Sequence, residues 1–415
     1  MRKFYFKLFI LLLISNQAIS AYYDTVPAGR RALVFKRVML TDVDANINSE
    51  GNSSPLSFNK TIDLPTLADL EPKIAGFLNT IRQDPNPEIS SIPDKLVLSG
   101  FAADLKADID VQAYGLAFGI TDKFMVYGAL PVYTASIKTN LRRTLQSNYN
   151  EILKGKNLPI PDSPQTKVAL QQIQDLDGSF LQGVAVNTLN YKPMGDWEAK
   201  DIGDIEVGVL YRLTDWDRAG IAISGGFVAP TGKQDNPDIL QDIPFGDGQW
   251  DVFAELGGGV QFFDGRLSID SYIRYTAQLP TTKDIRAPLI SSFTALGDHY
   301  ITVYEDLGDT IDLRLMGSFS FNDLFSMSAG YEAKIGFSKS YESLNATTDE
   351  LQMLEENTDT QNHYAKFGAS ISTIPAFLAK KFLLPMKIDF TAQFQMYAKN
   401  TIDANRFEAT LTFFF

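Results

Sequence analysis

The sequence predicts an all-β protein: a transmembrane, antiparallel, up-and-down β-barrel of about twelve strands, with helical inserts in its long outer loops. Three observations carry this reading. Apolar and polar side chains alternate along many segments, as they do on a strand with one oily and one polar face. The connections between those segments run short, then long, then short. The chain opens on an export leader and closes on phenylalanine.

The leader comes first. Arg2, Lys3 and Lys7 precede an apolar run, Leu8–Ile14, and Ala18 and Ser20 place small residues before a cleavage point. Residues 1–20 therefore read as a secretory signal peptide, too short to span a bilayer. Residues 21–415 read as a single barrel domain. The leader holds three bases and no acids, so its removal takes the formal charge from −13 to −16. So acidic a chain lacks the clustered Lys and Arg that nucleic acid requires. Cysteine is absent, which rules out disulfides. No later stretch is long and apolar enough for a transmembrane helix. An exported chain of this kind is either a soluble β-protein or an outer-membrane barrel.

Strands are expected near residues 30–40, 105–120, 124–138, 203–213, 219–230, 249–263, 267–278, 309–321, 325–339, 362–373, 385–399 and 404–415. In the fourth, Ile205, Val207, Val209 and Tyr211 oppose Asp204, Glu206 and Arg212. In the seventh, Leu267, Ile269, Ile273 and Tyr275 oppose Asp270, Tyr272 and Arg274. The first three alternate less cleanly, and the faces of 124–138 stay unassigned. Tight turns at Thr121–Lys123, Thr214–Arg218, Gly265 and Asn322–Leu324 join strands in pairs. Longer links lie at 41–104, 139–202, 231–248, 279–308 and 340–361; 374–384 is long for a turn and 400–403 short for a loop.

A soluble sandwich has no reason to place its long loops at one end, whereas an outer-membrane barrel does. Most of these segments also exceed the roughly 9–11 residues a tilted strand needs to cross a bilayer. Trp216 and Trp250 fall where interfacial aromatics belong. The closing "RFEATLTFFF" puts Phe413 and Phe415 on the lipid parity and Phe414 on the lumen parity. A terminal Phe behind alternating apolar residues resembles the signal read by the barrel-assembly machinery, so Phe413 and Phe415 are assigned that role.

Three stretches go beyond generic pattern: "YGLAFGITDKFMVYGALPV" (Tyr114–Val132), "DIGDIEVGVLYRL" (Asp201–Leu213) and "GGFVAPTGK" (Gly225–Lys233). With the opening "VPAGRRALVFKRV" (Val26–Val38), they resemble the outer-membrane proteins found with meta-pathway phenol-degradation genes. Those are distantly similar in style to long-chain fatty-acid and hydrocarbon channels. The resemblance implies passive passage of small, mainly hydrophobic or aromatic molecules. The shared motifs mark turns and strand ends, so no site residue carries over.

The candidate site is the lumen. Charges expected to point inward are Asp204, Glu206, Arg212, Asp251, Glu255, Asp270 and Arg274 on the first half of the barrel, and Asp312, Arg314, Glu332, Lys334, Lys387 and Asp389 on the second. Lys366, Arg406 and Glu408 share that parity. They could form a selective constriction or a cross-strand ion-pair ladder, and the near balance of signs favours the ladder. The acidic run Tyr341–Gln361 reads as a solvated loop. "TDVDANINSEG" has Ile47 and Ser53 where a calcium loop needs Gly and Glu. "GGFVAPTGK" has the wrong spacing for a phosphate loop. No metal or cofactor is expected.

Two outer inserts, 41–104 and 139–202, read as partly helical. Leu67, Leu70, Ile74, Phe77, Leu78 and Ile81 recur at spacings of three and four, as do Leu141, Leu145, Tyr149, Ile152 and Leu153. They would cap the pore or pack on one another. An enzyme is not expected. A phospholipase-type site needs a serine, a base and an orienting partner, and the two histidines, His299 and His363, have only Ser291, Ser292 and Asn362 near them in sequence. The sequence therefore points to a bacterial outer-membrane channel contacting lipid, lipopolysaccharide and small hydrophobic ligands; the alternative is a structural or surface-interaction barrel with a filled lumen.

Overall fold

The structure, a computed structural model, describes residues 22–63, 82–83, 87–146, 148, 151, 182–214, 216–288, 297 and 299–415, with residues 65, 79 and 85 besides. The expected leader and the helical stripe from Leu67 to Ile81 lie outside the described residues, as do Tyr149, Ile152, Leu153, Ser291 and Ser292.

Twelve antiparallel strands close into a barrel. They are β1 (Arg31–Val43), β2 (Val97–Thr121), β3 (Phe124–Leu145), β4 (Ile205–Arg212), β5 (Ala219–Ala229), β6 (Asp251–Phe262), β7 (Leu267–Gln278), β8 (Thr310–Ser320), β9 (Phe325–Gly336), β10 (Thr360–Ser372), β11 (Met386–Lys399) and β12 (Arg406–Phe414). Each strand pairs with its chain neighbours, and β1 closes on β12 in the register Ala32↔Phe414 to Met39↔Phe407. Closure leaves these strands without an exposed edge, the only way a sheet satisfies its backbone in lipid.

Alternation explains the outer surface. On β4, Val207, Val209 and Tyr211 face out while Glu206 and Leu210 are buried. The same parity exposes Leu256, Ile269, Ile273, Leu315, Phe367, Phe390, Phe394 and Met396 around the wall. So continuous an apolar surface is far larger than a soluble monomer carries and matches the lipid-facing band of a membrane barrel. Trp216 and Trp250 sit at opposite rims, Trp250 packed 5.7 Å from the Phe227 ring. The turn after β6 runs through three left-handed residues, Phe263, Asp264 and Gly265, and glycine takes the largest φ at +83°.

Two expectations change. β2 and β3 run to 25 and 22 residues, so their hairpin rises well above the other strands. Its edges are covered by short strands, Ser57–Asp63 beside β2 and Trp197–Ile202 beside β3. Leu141 and Leu145, expected on a helix, therefore belong to β3, opposite Ala103 and Gly100. Pairing along the whole hairpin overrides a helical spacing that rests there on two leucines. The acidic run Tyr341–Gln361 is also more ordered than a solvated loop. Ser340–Glu342 joins a small outer sheet with Thr281–Arg286 and Tyr300–Asp306. Helix Thr348–Glu355 follows, with Thr347 and the buried Glu350 forming a reciprocal capping box. This part of the outer surface has its own core of Ile285, Ile301, Val303 and Tyr341.

Candidate functional site: the barrel lumen

The periplasmic half of the lumen is occupied by the chain's own N-terminal segment. Tyr22 is buried, its ring 5.6 Å from Tyr272, its hydroxyl donating to the Glu255 carboxylate and its N–H to Asp270 at 3.2 Å. Room for it comes from bare positions on the wall: a Cβ on Gly257 would run into the Tyr22 ring, and one on Gly220 into the Tyr23 ring. Ala32, Ala117 and Met125 complete the apolar bed beneath.

Arg274 lies next to this plug and is 0% exposed. Its guanidinium forks onto Glu206 at 3.0 and 3.4 Å and stacks 3.6 Å from the centre of the Phe253 ring. Phe253 in turn rests on Gly208 and Gly226, where a side chain would clash with it. The pairing is charge-assisted, bidentate and dry, the geometry in which a buried Arg–carboxylate pair is strong.

The far wall carries the ladder. Glu332 meets Lys366 at 2.6 Å, Asp312 lies 3.9 Å from Lys334, and Lys387 pairs with Asp389 at 3.0 Å. Arg314 stacks over Tyr272 at 4.5 Å and Arg406 over Tyr364 at 4.7 Å. Glu408 is met by Lys36 of β1 at 3.2 Å, a partner sequence reading did not supply because β1 alternates poorly. Arg212 sits at the periplasmic rim, donating to the Asp122 carbonyl at 3.2 Å. Among the described residues, the Gln249 amide, the Thr310 and Thr412 hydroxyls and one oxygen each of Asp251, Asp312 and Asp389 are buried without a hydrogen-bond partner.

The inner wall of β1–β3 differs in kind. Val38, Leu40, Ile109, Val111, Tyr133 and Ile137 form a buried apolar surface. The faces of 124–138 could not be assigned because both sides of β3 are greasy, one toward lipid and one toward this cluster. The surface is covered from outside by the loop between β5 and β6. Ile243 and Phe245 pack onto it, Phe245 stacking on Tyr133 at 5.1 Å and 8°. Lys233 holds the loop shut, 2.6 Å from Asp242 and 5.4 and 5.6 Å from the Trp197 and Phe245 rings. Beneath lies Asp204, placed just ahead of β4 and accepting from the Gly232 and Asp247 N–H groups at 2.8 and 3.3 Å. Burial, opposed by the Gly232 N–H and reinforced by the Asp247 charge, pushes its carboxyl up to about 6.

A second clasp sits higher. Arg286 grips Asp238 at 3.0 Å, the Leu189 and Asn190 carbonyls at 2.8 and 3.1 Å, and the Tyr191 ring at 4.1 Å, tying three outer loops together. Burial works to raise the Asp238 carboxyl, but the Tyr300 hydroxyl and Arg286 outweigh it and hold the group below the usual carboxylate range.

No group of metal-ligating side chains occurs among the described residues. The histidines are apart in role: His363 faces out between Tyr331 and Tyr397, and His299 lies 3.7 Å from Glu350 in the outer sheet region.

Neither a protein-family model nor a curated sequence matches the chain, so the likeness to the phenol-degradation proteins stays a resemblance. Among solved structures, an outer membrane channel from Pseudomonas putida F1 aligns at 11% identity over 95% of this chain and 98% of that one, with a TM-score of 0.52. A Pseudomonas aeruginosa FadL homologue aligns at 12% identity over 93% and 89%, TM-score 0.31, and the Ralstonia pickettii toluene transporter TbuX at 12% over 93% and 89%, TM-score 0.34. The first of these is a channel, and the likeness is one of fold. The first alignment and the apolar belt together give the chain the fold of an outer-membrane channel and a place in a bacterial outer membrane.

Proposed function

We propose that the chain is a passive outer-membrane channel for small, mainly hydrophobic or aromatic molecules. The observation that carries this is the apolar wall inside β1–β3, covered by the β5–β6 loop together with Leu56 and Ala404 from two other connections. A barrel built only for strength has no need to line one sector of its lumen with Val38, Leu40, Ile109 and Val111 and then cover them. Facing them, the charges from Asp204 to Asp389 supply a polar wall that orients a permeant, with Arg274–Glu206 and Glu332–Lys366 as fixed pairs. Outward movement of Phe245 and withdrawal of Tyr22 would join the two ends.

Reconstituted protein is expected to let benzoate into liposomes faster than protein-free liposomes do, and faster than it lets in glucose. Benzoate entry no faster than in protein-free liposomes would leave the alternative, a barrel with a filled lumen, which the fully buried Arg274 favours.

The terminal phenylalanines fit a role in assembly. Phe415 is half exposed at the periplasmic rim, its N–H donating to the Arg31 carbonyl at 3.0 Å, while Phe413 packs edge-on against Phe35. Phe415→Ala should lower the heat-modifiable, membrane-inserted fraction several-fold, while barrel refolded in detergent keeps its stability. Unchanged insertion in cells would remove the assembly role.

A further inference from the structure

We infer that the connection between β10 and β11 is an interfacial anchor that inserts into the periplasmic leaflet and engages anionic phospholipid headgroups. It rests on the barrel, not on the channel reading. The segment Ile374–Pro385, "IPAFLAKKFLLP", is long where a barrel needs only a tight turn. Four apolar side chains besides Phe377 stand out of it: Leu378 at 74% exposure, Leu383 at 90%, and Phe382 and Leu384 near half.

The loop is built rather than slack. A helical turn, Ile374–Leu378, carries Pro375 at its second position and is followed by Lys380, which takes a left-handed φ of 58°. Thr373 ties the base, its hydroxyl donating to the Leu384 carbonyl at 2.5 Å and accepting from the Met386 N–H at 3.0 Å. The flanks are pinned to both neighbours: Ser372 N–H donates to the Leu324 carbonyl at 2.8 Å, and Phe414 N–H to the Pro385 carbonyl at 3.0 Å.

Position and charge choose the occupant. The loop lies on the side of the tight turns and the C-terminus, flanked by exposed Phe321, Leu324 and Phe415 and by the belt residues Ile371 and Phe390. Its apolar side chains therefore extend a surface that already meets lipid. From Thr360 to Ile388 the chain has no acid, although the other tight turns carry Asp122, Asp217, Asp264 and Asp323. Lys380 and Lys381 are exposed and make no ion pair among the described residues. A greasy edge flanked by unpaired lysines is the pattern of a segment lying in an anionic interface, the apolar side chains below the headgroups and the ammonium groups among the phosphates.

The absence of cysteine makes the test direct. Leu383→Cys carries a single nitroxide on the intact barrel in phosphatidylcholine bilayers with or without phosphatidylglycerol, and Leu344→Cys, in a fully exposed outer position, serves as the aqueous reference. The label at 383 is expected to collide more with oxygen than with a water-soluble nickel complex, and to move deeper when phosphatidylglycerol is added. Lys380→Gln/Lys381→Gln should abolish the phosphatidylglycerol increment while the barrel stays heat-modifiable on gels. A label as open to nickel as the reference overturns the anchor. An increment that survives loss of both lysines overturns the headgroup assignment. Protection that appears only with periplasmic extract makes the occupant a protein instead.

Discussion

Tyr22→Ala/Tyr23→Ala is expected to raise single-channel conductance several-fold in planar bilayers. The two rings pack into the periplasmic half of the lumen, over Gly257 and Gly220. Truncating a buried aromatic removes about 3–5 kcal/mol of local packing. That loss falls on docking of the segment, because the strands are held by their own ladders. The barrel should therefore stay heat-modifiable while its lower end opens. Gly257→Val gives an independent check: it displaces the Tyr22 ring without deleting it and should open the channel too. Unchanged conductance in both variants would show that the restriction lies elsewhere, under the β5–β6 loop.

Arg274→Met should be the most destabilising single change in the lumen, costing about 3–5 kcal/mol because it leaves a buried carboxylate without its partner. Glu206 loses both arms of its fork, and Glu255, already engaged by Tyr22, loses the nearby positive charge. The double variant Arg274→Met/Glu206→Leu should recover much of the loss, since two apolar side chains against Phe253 need no counter-ion. Urea midpoints of the folded-to-unfolded transition in lipid vesicles measure both. A single variant within about 0.5 kcal/mol of the parent, the range of ordinary surface substitutions, would show that water reaches Glu206 and that the pair is not dry.

The strands from β4 onward were legible because lipid outside and charge inside impose a period of two that little else disturbs. The same rule hid the faces of β3, where Tyr133 and Ile137 meet an inward-folded loop and the contrast between sides vanishes. Leu141 and Leu145 misled because two leucines fit a helix as well as a strand, and only the distant partners Ala103 and Gly100 decide between them. The ladder's acids and bases could be placed by parity, but not matched. Lys36 pairs with Glu408 across the seam where the ends of the chain meet, a contact no local window contains. The Tyr22 plug was missed for a similar reason, although the inward glycines at 220 and 257 are its trace: small residues on a lumen face mark something pressed against it.

The tall β2–β3 hairpin has a consequence for the cell surface. The part of β2 preceding Ala107, which pairs with the last residue of β1, runs on for Val97–Lys106, roughly 30 Å of extended chain at about 3.3 Å per residue. On a wall tilted by roughly 45° this lifts the hairpin's tip about 20 Å beyond the end of β1, so whatever approaches from outside meets the tip before the mouth.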